Sequence, residues 1–66
     1  MNTEQLKGNW KQLKGEVLKR WGQLTHDDYD VIEGEKEKLV GKLIERYGFA
    51  KEEAEKQVDE FNISIH

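Results

Sequence analysis

Apolar residues recur at steps of three or four along the first third of the chain, with polar residues between them. This spacing is typical of one face of an amphipathic α-helix. The stripe consists of Leu6, Trp10, Leu13, Val17, Trp21 and Leu24. Asn2 and Gln5 have the spacing of a capping box, and Gly22 suits the left-handed position after a helix. We therefore predict a helix that begins near Asn2 and ends at Gly22.

A second helix is predicted to begin at Thr25. A threonine hydroxyl can cap the first free backbone N–H groups of a helix. The acidic Asp27 and Asp28 then fall in the first turn, where the helix dipole favours negative charge. This helix, which carries Tyr29 and Ile32, is expected to end or kink near Gly34 and to be capped by Thr25.

Two more helices follow from the same spacing. The third covers about 35–47 and ends at Gly48, and the fourth begins at about 51. Their apolar positions are Leu39, Leu43, Ile44 and Tyr47, then Ala54, Val58 and Phe61. Only the short segment Ile63–Ile65 alternates in the manner of a strand. The sequence therefore predicts an all-α fold with four helices.

The second half of the chain resembles the first after a shift of 26 residues. The identities are Gly8, Leu13, Gly15, Arg20 and Gly22 with Gly34, Leu39, Gly41, Arg46 and Gly48. The shift also superposes the predicted helix starts and ends, although chance competes in a chain rich in Lys, Glu and Gly. We expect a single domain over 1–66 in which two similar hairpins, about 8–33 and 34–59, form a small four-helix bundle followed by a tail at 62–66.

Glycines spaced by seven residues need a physical reason, because glycine inside a helix costs about 1 kcal/mol relative to alanine. Seven residues are nearly two turns, so Gly8 and Gly15 share one helix face, as do Gly34 and Gly41. We interpret them as positions where a missing side chain lets another helix approach. Hinge flexibility and ligand binding are the alternatives.

The composition leaves little material for a core. Of the 66 residues, 35% are hydrophobic and 38% charged, and the mean hydropathy is -0.97. A domain of this size buries only about 60% of the surface of its unfolded chain, so the bulky apolar positions are needed inside. The predicted core consists of Trp10, Leu13, Val17, Trp21, Leu39, Leu43, Tyr47, Val58 and Phe61.

Several classes of protein are excluded by what the chain lacks. It has no cysteine, which excludes disulfides and thiolate metal sites. No apolar run approaches the roughly 20 residues that a membrane-spanning helix needs, and the N-terminus has no apolar signal core. We therefore expect a cytoplasmic protein. We also expect it to be monomeric or weakly self-associating.

Charge divides the chain unevenly. Residues 1–25 hold five Lys or Arg against two Asp or Glu, whereas residues 26–66 hold six against twelve. Lys7, Lys11 and Lys14 are therefore candidates for binding a partner protein or nucleic acid, with Trp10 available for stacking. The same helix could lie on an anionic bilayer. A core role for Trp10 and Trp21, together with the acidic remainder of the chain, argues against nucleic acid as the partner.

Candidate chemistry is sparse. The two histidines and few hydroxyl side chains suggest no nucleophile with its base, so we expect no enzyme and no cofactor. His26, Asp27, Asp28 and Asp30 do not have the alternating spacing of a calcium loop, and no metal site is predicted.

Dense mixed charge covers the predicted third and fourth helices. Pairs such as Glu52 and Lys56 are four residues apart, where they support a helix and keep it soluble. A second interpretation is that hydration is itself the function, because such a surface would keep neighbouring proteins apart when water is scarce.

The segments GNWKQLKGEVLKRWGQLTHDD, IEGEKEKLVGKLIERYG and AEKQV, within about 2–61, resemble the CsbD-like bacterial stress-response proteins. The resemblance implies a small helical fold of two hairpins packed roughly crosswise, in a cytoplasmic protein produced under general stress. It implies no catalytic residue. It implies a core role for Trp10 and Trp21, packing at Gly15 and Gly41, and helix ends at Gly22 and Gly48.

Overall fold

Four α-helices account for most of the chain in the computed structural model, which describes residues 8–64, with side chains described as far as 62. The helices are α1 (Lys14–Arg20), α2 (His26–Ile32), α3 (Lys36–Tyr47) and α4 (Lys51–Ser64). No strand occurs within 8–64. The predicted all-α fold is confirmed.

The predicted first helix is not continuous. A 3-10 turn covers Trp10–Gln12, and α1 starts only after Leu13, whose φ and ψ are -93° and 0°. The turn is closed by bonds from the Gln12 N–H to the Asn9 carbonyl and from the Leu13 N–H to the Trp10 carbonyl. The predicted continuity through Leu13 is therefore wrong, because contacts of Trp10 with α2 override the local helical pattern. The predicted Asn2–Gln5 capping box, Leu6 and Lys7 lie outside the described residues.

A short linker joins α3 to α4, and the two helices run antiparallel. Lys36 at the start of α3 forms an ion pair of 3.0 Å with Asp59, far along α4. The helix α4 continues through Ser64, so the segment that alternates from Ile63 is helical as far as it is described. The side chain of Asn62, where the tail was expected to begin, is buried.

The core is continuous and takes residues from every helix. Both indoles are inside: Trp10 stacks on Tyr29 with ring centroids 4.2 Å apart, and Trp21 meets Phe61 at 5.2 Å. Tyr47, predicted as core, is only partly buried at the edge. The buried apolar residues are Trp10, Leu13, Val17, Trp21, Leu24, Tyr29, Ile32, Leu39, Val40, Leu43, Ala54, Val58 and Phe61.

Burial also agrees between positions 26 residues apart. Leu13 and Leu39 are both buried, as are Val17 and Leu43, and Ile32 and Val58. The duplication of a hairpin stays a prediction that these pairs favour.

The glycines do not pack as predicted. Among residues 8–64, a Cβ atom built on Gly8, Gly15 or Gly41 meets nothing within 4 Å, so none of the four helices approaches these positions. The interpretation of Gly8, Gly15 and Gly41 as close-packing positions is wrong. At Gly34, which is buried, a positive φ of 77° requires the glycine, next to the left-handed Glu33 that ends α2.

The two glycines predicted to end helices behave differently. Gly48 caps α3 in the left-handed conformation, with φ 72° and a bond from its N–H to the Ile44 carbonyl. Gly22 has no positive φ, because α1 already ends at Trp21, whose φ is -121°. The predicted left-handed role of Gly22 is therefore wrong.

Because only one of these two glycines has a positive φ, replacing each with alanine tests the conformations assigned to the two helix ends. Gly48→Ala should lower the free energy of unfolding by about 1 kcal/mol, because alanine is strained at positive φ. Gly22→Ala should leave the free energy of unfolding unchanged or raise it by about 0.5 kcal/mol, because alanine restricts the unfolded chain more than glycine does. Urea unfolding followed by circular dichroism measures both. An equal loss in the two variants would contradict the assigned conformations.

Candidate functional site

A buried carboxylate joins α2 to α3. Asp28 and Thr25 form a capping box: the Asp28 N–H donates to Thr25 Oγ1 at 3.0 Å, and the Thr25 N–H donates to Asp28 Oδ2 at 3.0 Å. From α3, Arg46 donates through Nε and Nη2 to the two oxygens of the same carboxylate, each at 2.9 Å. Lys42 Nζ lies 3.4 Å from Oδ1. The carboxylate is thus held by two cations and a backbone N–H.

These contacts fix the charge of Asp28. The hydrogen bonds from Arg46, and next that from Thr25, hold the pKa of the Asp28 carboxyl well below its usual range, although burial opposes them. The same pair raises the pKa of Arg46. Because the pair leaves Asp28 ionised with its oxygens occupied, the cluster is suited to holding α2 on α3 and not to transferring protons.

A second link joins the 3-10 turn to α2. The Trp10 indole N–H donates to the Tyr29 carbonyl at 3.2 Å, and the Tyr29 hydroxyl donates to the Trp10 carbonyl. The Lys14 ammonium lies 5.8 Å from the centre of the Tyr29 ring, within reach of a cation–π interaction. Burial, with a smaller effect from Asp30, raises the pKa of Tyr29 to about 12. This tyrosine is therefore neutral and part of the fold.

The structure describes two of the three candidate partner-binding lysines. Lys7 lies outside the described residues, Lys11 is exposed, and Lys14 is half-buried against Tyr29. Trp10 and Trp21 are buried, so neither indole is presented for stacking on a base. Arg20 instead lies over the Trp21 ring, 5.5 Å from its centre.

The acidic start of α2 does not form a metal site. His26, Asp27 and Asp30 are exposed, while Asp28 is occupied by Arg46. Within residues 8–64, no three His, Asp or Glu side chains gather to hold a metal ion. Of the helices in the same part of the chain, none has the length and apolar character to span a membrane.

The outer surface is dominated by mixed charge. Lys38 contacts Glu35 at 2.8 Å and Glu33 at 3.8 Å, and Lys42 contacts Glu45 at 3.2 Å. The hydrogen bond with Glu35 raises the pKa of Lys38. Lys38 is exposed and Lys42 is half-buried, and their glutamate partners lie at the surface, so these ion pairs add little to stability.

The helices, the buried ion pair and the charged exterior define a small, highly charged all-α protein. The chain belongs to the CsbD-like family, whose sequence model matches residues 4–56.

Bacterial relatives cover most of the chain. It is 56% identical over 59 residues to the UPF0337 protein YjbJ of Escherichia coli O6:H1, covering 89% of this chain and 86% of the relative. It is 57% identical over 58 residues to the UPF0337 protein ECA0631 of Pectobacterium atrosepticum, covering 88% and 84%. The UPF0337 protein PA4738 of Pseudomonas aeruginosa is 53% identical over 62 residues, with 94% and 95% covered. No solved structure matches the chain. The family model thus covers α1, α2, α3 and the start of α4, and the names of the relatives give no molecular activity.

Proposed function

We propose that this protein is a non-enzymatic factor of the bacterial general stress response that acts in the cytoplasm by shielding other macromolecules with a strongly hydrated surface. The observation that carries the proposal is the division of side chains between inside and outside. Among the described residues, Val31 is the only large hydrophobic side chain that is exposed. A surface of this kind separates neighbouring proteins without adhering to them.

The outer face of α4 supports this proposal. Glu52, Lys56 and Glu60 are all exposed and stand at intervals of four residues, with alternating charge. Such a face attracts water strongly while its opposite charges limit long-range attraction to any one partner. The low mean hydropathy of -0.97 also supports a strongly hydrated surface.

Protection of a labile enzyme tests the proposal. The enzyme is dried or heated alone, with this protein, or with an equal mass of an inert globular protein, and its surviving activity is then measured. We expect survival to be clearly higher with this protein, because its hydrated charges keep partly unfolded molecules apart. Equal survival with the inert protein would contradict a protective function.

A variant that lacks the charged face of α4 tests whether charge causes the protection. Glu52→Gln, Lys56→Gln and Glu60→Gln together remove the charged face of α4 with little change in side-chain length or helix propensity. We expect this triple variant to keep its circular dichroism spectrum and lose most of the protection. Full protection by the folded triple variant would contradict the role of this face.

The alternative function, an adaptor that binds through Lys7, Lys11 and Lys14, has weaker support. Lys14 is engaged with Tyr29, and the indoles that would accompany the lysines are buried. A salt-sensitive partner lost after replacing the three lysines with glutamine would favour the adaptor over the shield.

A further inference from the structure

A groove of about 570 Å³ runs along the seam between α3 and α4. Its floor includes Val40 and the half-buried Ile44, with the bare backbone of Gly41 beside them. Charged residues from both helices form its sides: Lys36, Glu37, Lys51 and Glu55. The groove thus combines apolar contact, access to a helix backbone and balanced charge.

No contact with the residues that the structure describes explains Gly41. It lies in the interior of α3, where glycine weakens a helix, and its φ is not positive. A Cβ atom built there meets nothing within 4 Å. The missing side chain therefore serves no contact among the described residues, and it leaves the backbone of α3 open towards the groove.

The charges along the groove suit a second copy of the same groove. Glu37 lies near the start of α3, at one end, and Lys51 begins α4, at the other end, since the two helices run antiparallel. A two-fold axis through the groove reverses its ends in the partner. Glu37 of each copy then meets Lys51 of the other, and the contact is made twice.

We propose that two copies of this chain associate face to face through the α3–α4 groove, with Gly41 at the centre and Glu37–Lys51 pairs at both ends. The groove is small, and Glu37 and Lys51 at its ends are exposed, so the dimer is weak and forms as protein concentration rises. The proposal is independent of the shielding function, since it concerns only which surface joins the copies.

Charge exchange tests the pairing by sedimentation equilibrium. Glu37→Lys alone and Lys51→Glu alone should each weaken association by about tenfold, because both pairs in the dimer become repulsive. An equimolar mixture of these two variants should restore it, because the mixed dimer has attraction at both ends. Glu52→Lys and Lys56→Glu, outside the groove, serve as controls and should change association little. A monomer at every concentration, association unaffected by the exchange, or no recovery in the mixture would overturn the proposal.

Gly41→Ala tests the centre of the same surface. It should raise the midpoint of thermal unfolding of the monomer by about 4 °C, because alanine favours the helix. In the dimer, the methyl groups that the substitution adds to the two copies meet at the two-fold axis. The association constant should therefore fall by about tenfold. A variant that is more stable and still associates fully would contradict the placement of Gly41 in the interface, leaving the groove to another partner.

Discussion

Trp21→Ala is expected to leave most molecules unfolded at physiological temperature. The indole is 2% exposed, lies 5.2 Å from the Phe61 ring and donates from Nε1 to Gln57 Oε1 at 2.9 Å. Truncating a buried tryptophan costs about 3 to 5 kcal/mol. A domain of 66 residues has a total stability of about 3 to 10 kcal/mol, so the loss is comparable with the whole.

Urea unfolding followed by circular dichroism measures this loss, with two variants as references. Trp21→Phe keeps an aromatic ring but removes the bond to Gln57, and should cost about 1 to 2 kcal/mol. Val31→Ala changes a side chain that is 53% exposed and should stay within about 0.5 kcal/mol. A loss below about 1 kcal/mol for Trp21→Ala would contradict its place in the core.

Asp28→Asn is expected to cost about 2 kcal/mol at neutral pH, and this cost should disappear in acid. The amide keeps the size of the side chain and an acceptor for the Thr25 N–H, but it loses the charge that Arg46 binds. Folding lowers the pKa of Asp28 below its ordinary value of 3.8. The contribution of the ionised pair is therefore complete above about pH 4 and declines as the pH falls from there towards the lower pKa of the folded state.

The difference in unfolding free energy between the wild type and Asp28→Asn, measured across this pH range, tests the assignment. It should be largest near neutrality and shrink below about pH 4. Asp30→Asn removes an exposed carboxylate from the same helix and should change stability by less than about 0.5 kcal/mol throughout. A difference for Asp28→Asn that is independent of pH would contradict the buried ion pair.

Periodicity predicted the helices well because burial and spacing agree along most of the chain. Val17, Leu39, Leu43 and Val58 were identified from steps of three and four, and each is fully buried. Leu13 is buried as predicted, but the predicted continuity of the first helix was wrong, because a 3-10 turn at Trp10–Gln12 precedes α1. Spacing alone could not show this, because the turn is fixed by contacts of Trp10 with a helix 19 residues further along.

The glycines show a different limit of sequence reasoning. A shift of 26 residues makes Gly22 and Gly48 equivalent, yet only Gly48 has positive φ. The pattern identifies where a side chain is absent, but whether the cause is backbone conformation or a neighbouring helix depends on the folded surroundings. At Gly15 and Gly41, no described residue makes the expected helix contact.

The pair of Asp28 with Arg46 was missed for a related reason. The sequence places Asp28 in the first turn of α2, where the helix dipole favours it, and shows Arg46 only as part of the repeat. The two residues are 18 positions apart on different helices. A usable signal was an acidic residue on the apolar side of α2, beside Tyr29 and Ile32, since a carboxylate there needs a cationic partner.

The most direct test of shielding combines two measurements on one sample, which holds the isotope-labelled protein at fixed concentration and an unlabelled client enzyme. The client enzyme is heated and its survival is recorded, while the backbone amide chemical shifts of the labelled protein are mapped. Shielding without adhesion predicts that the client survives while no patch of amides shifts. Protection accompanied by shifts confined to one face, such as that around Lys11 and Lys14, would contradict it and identify a docking surface.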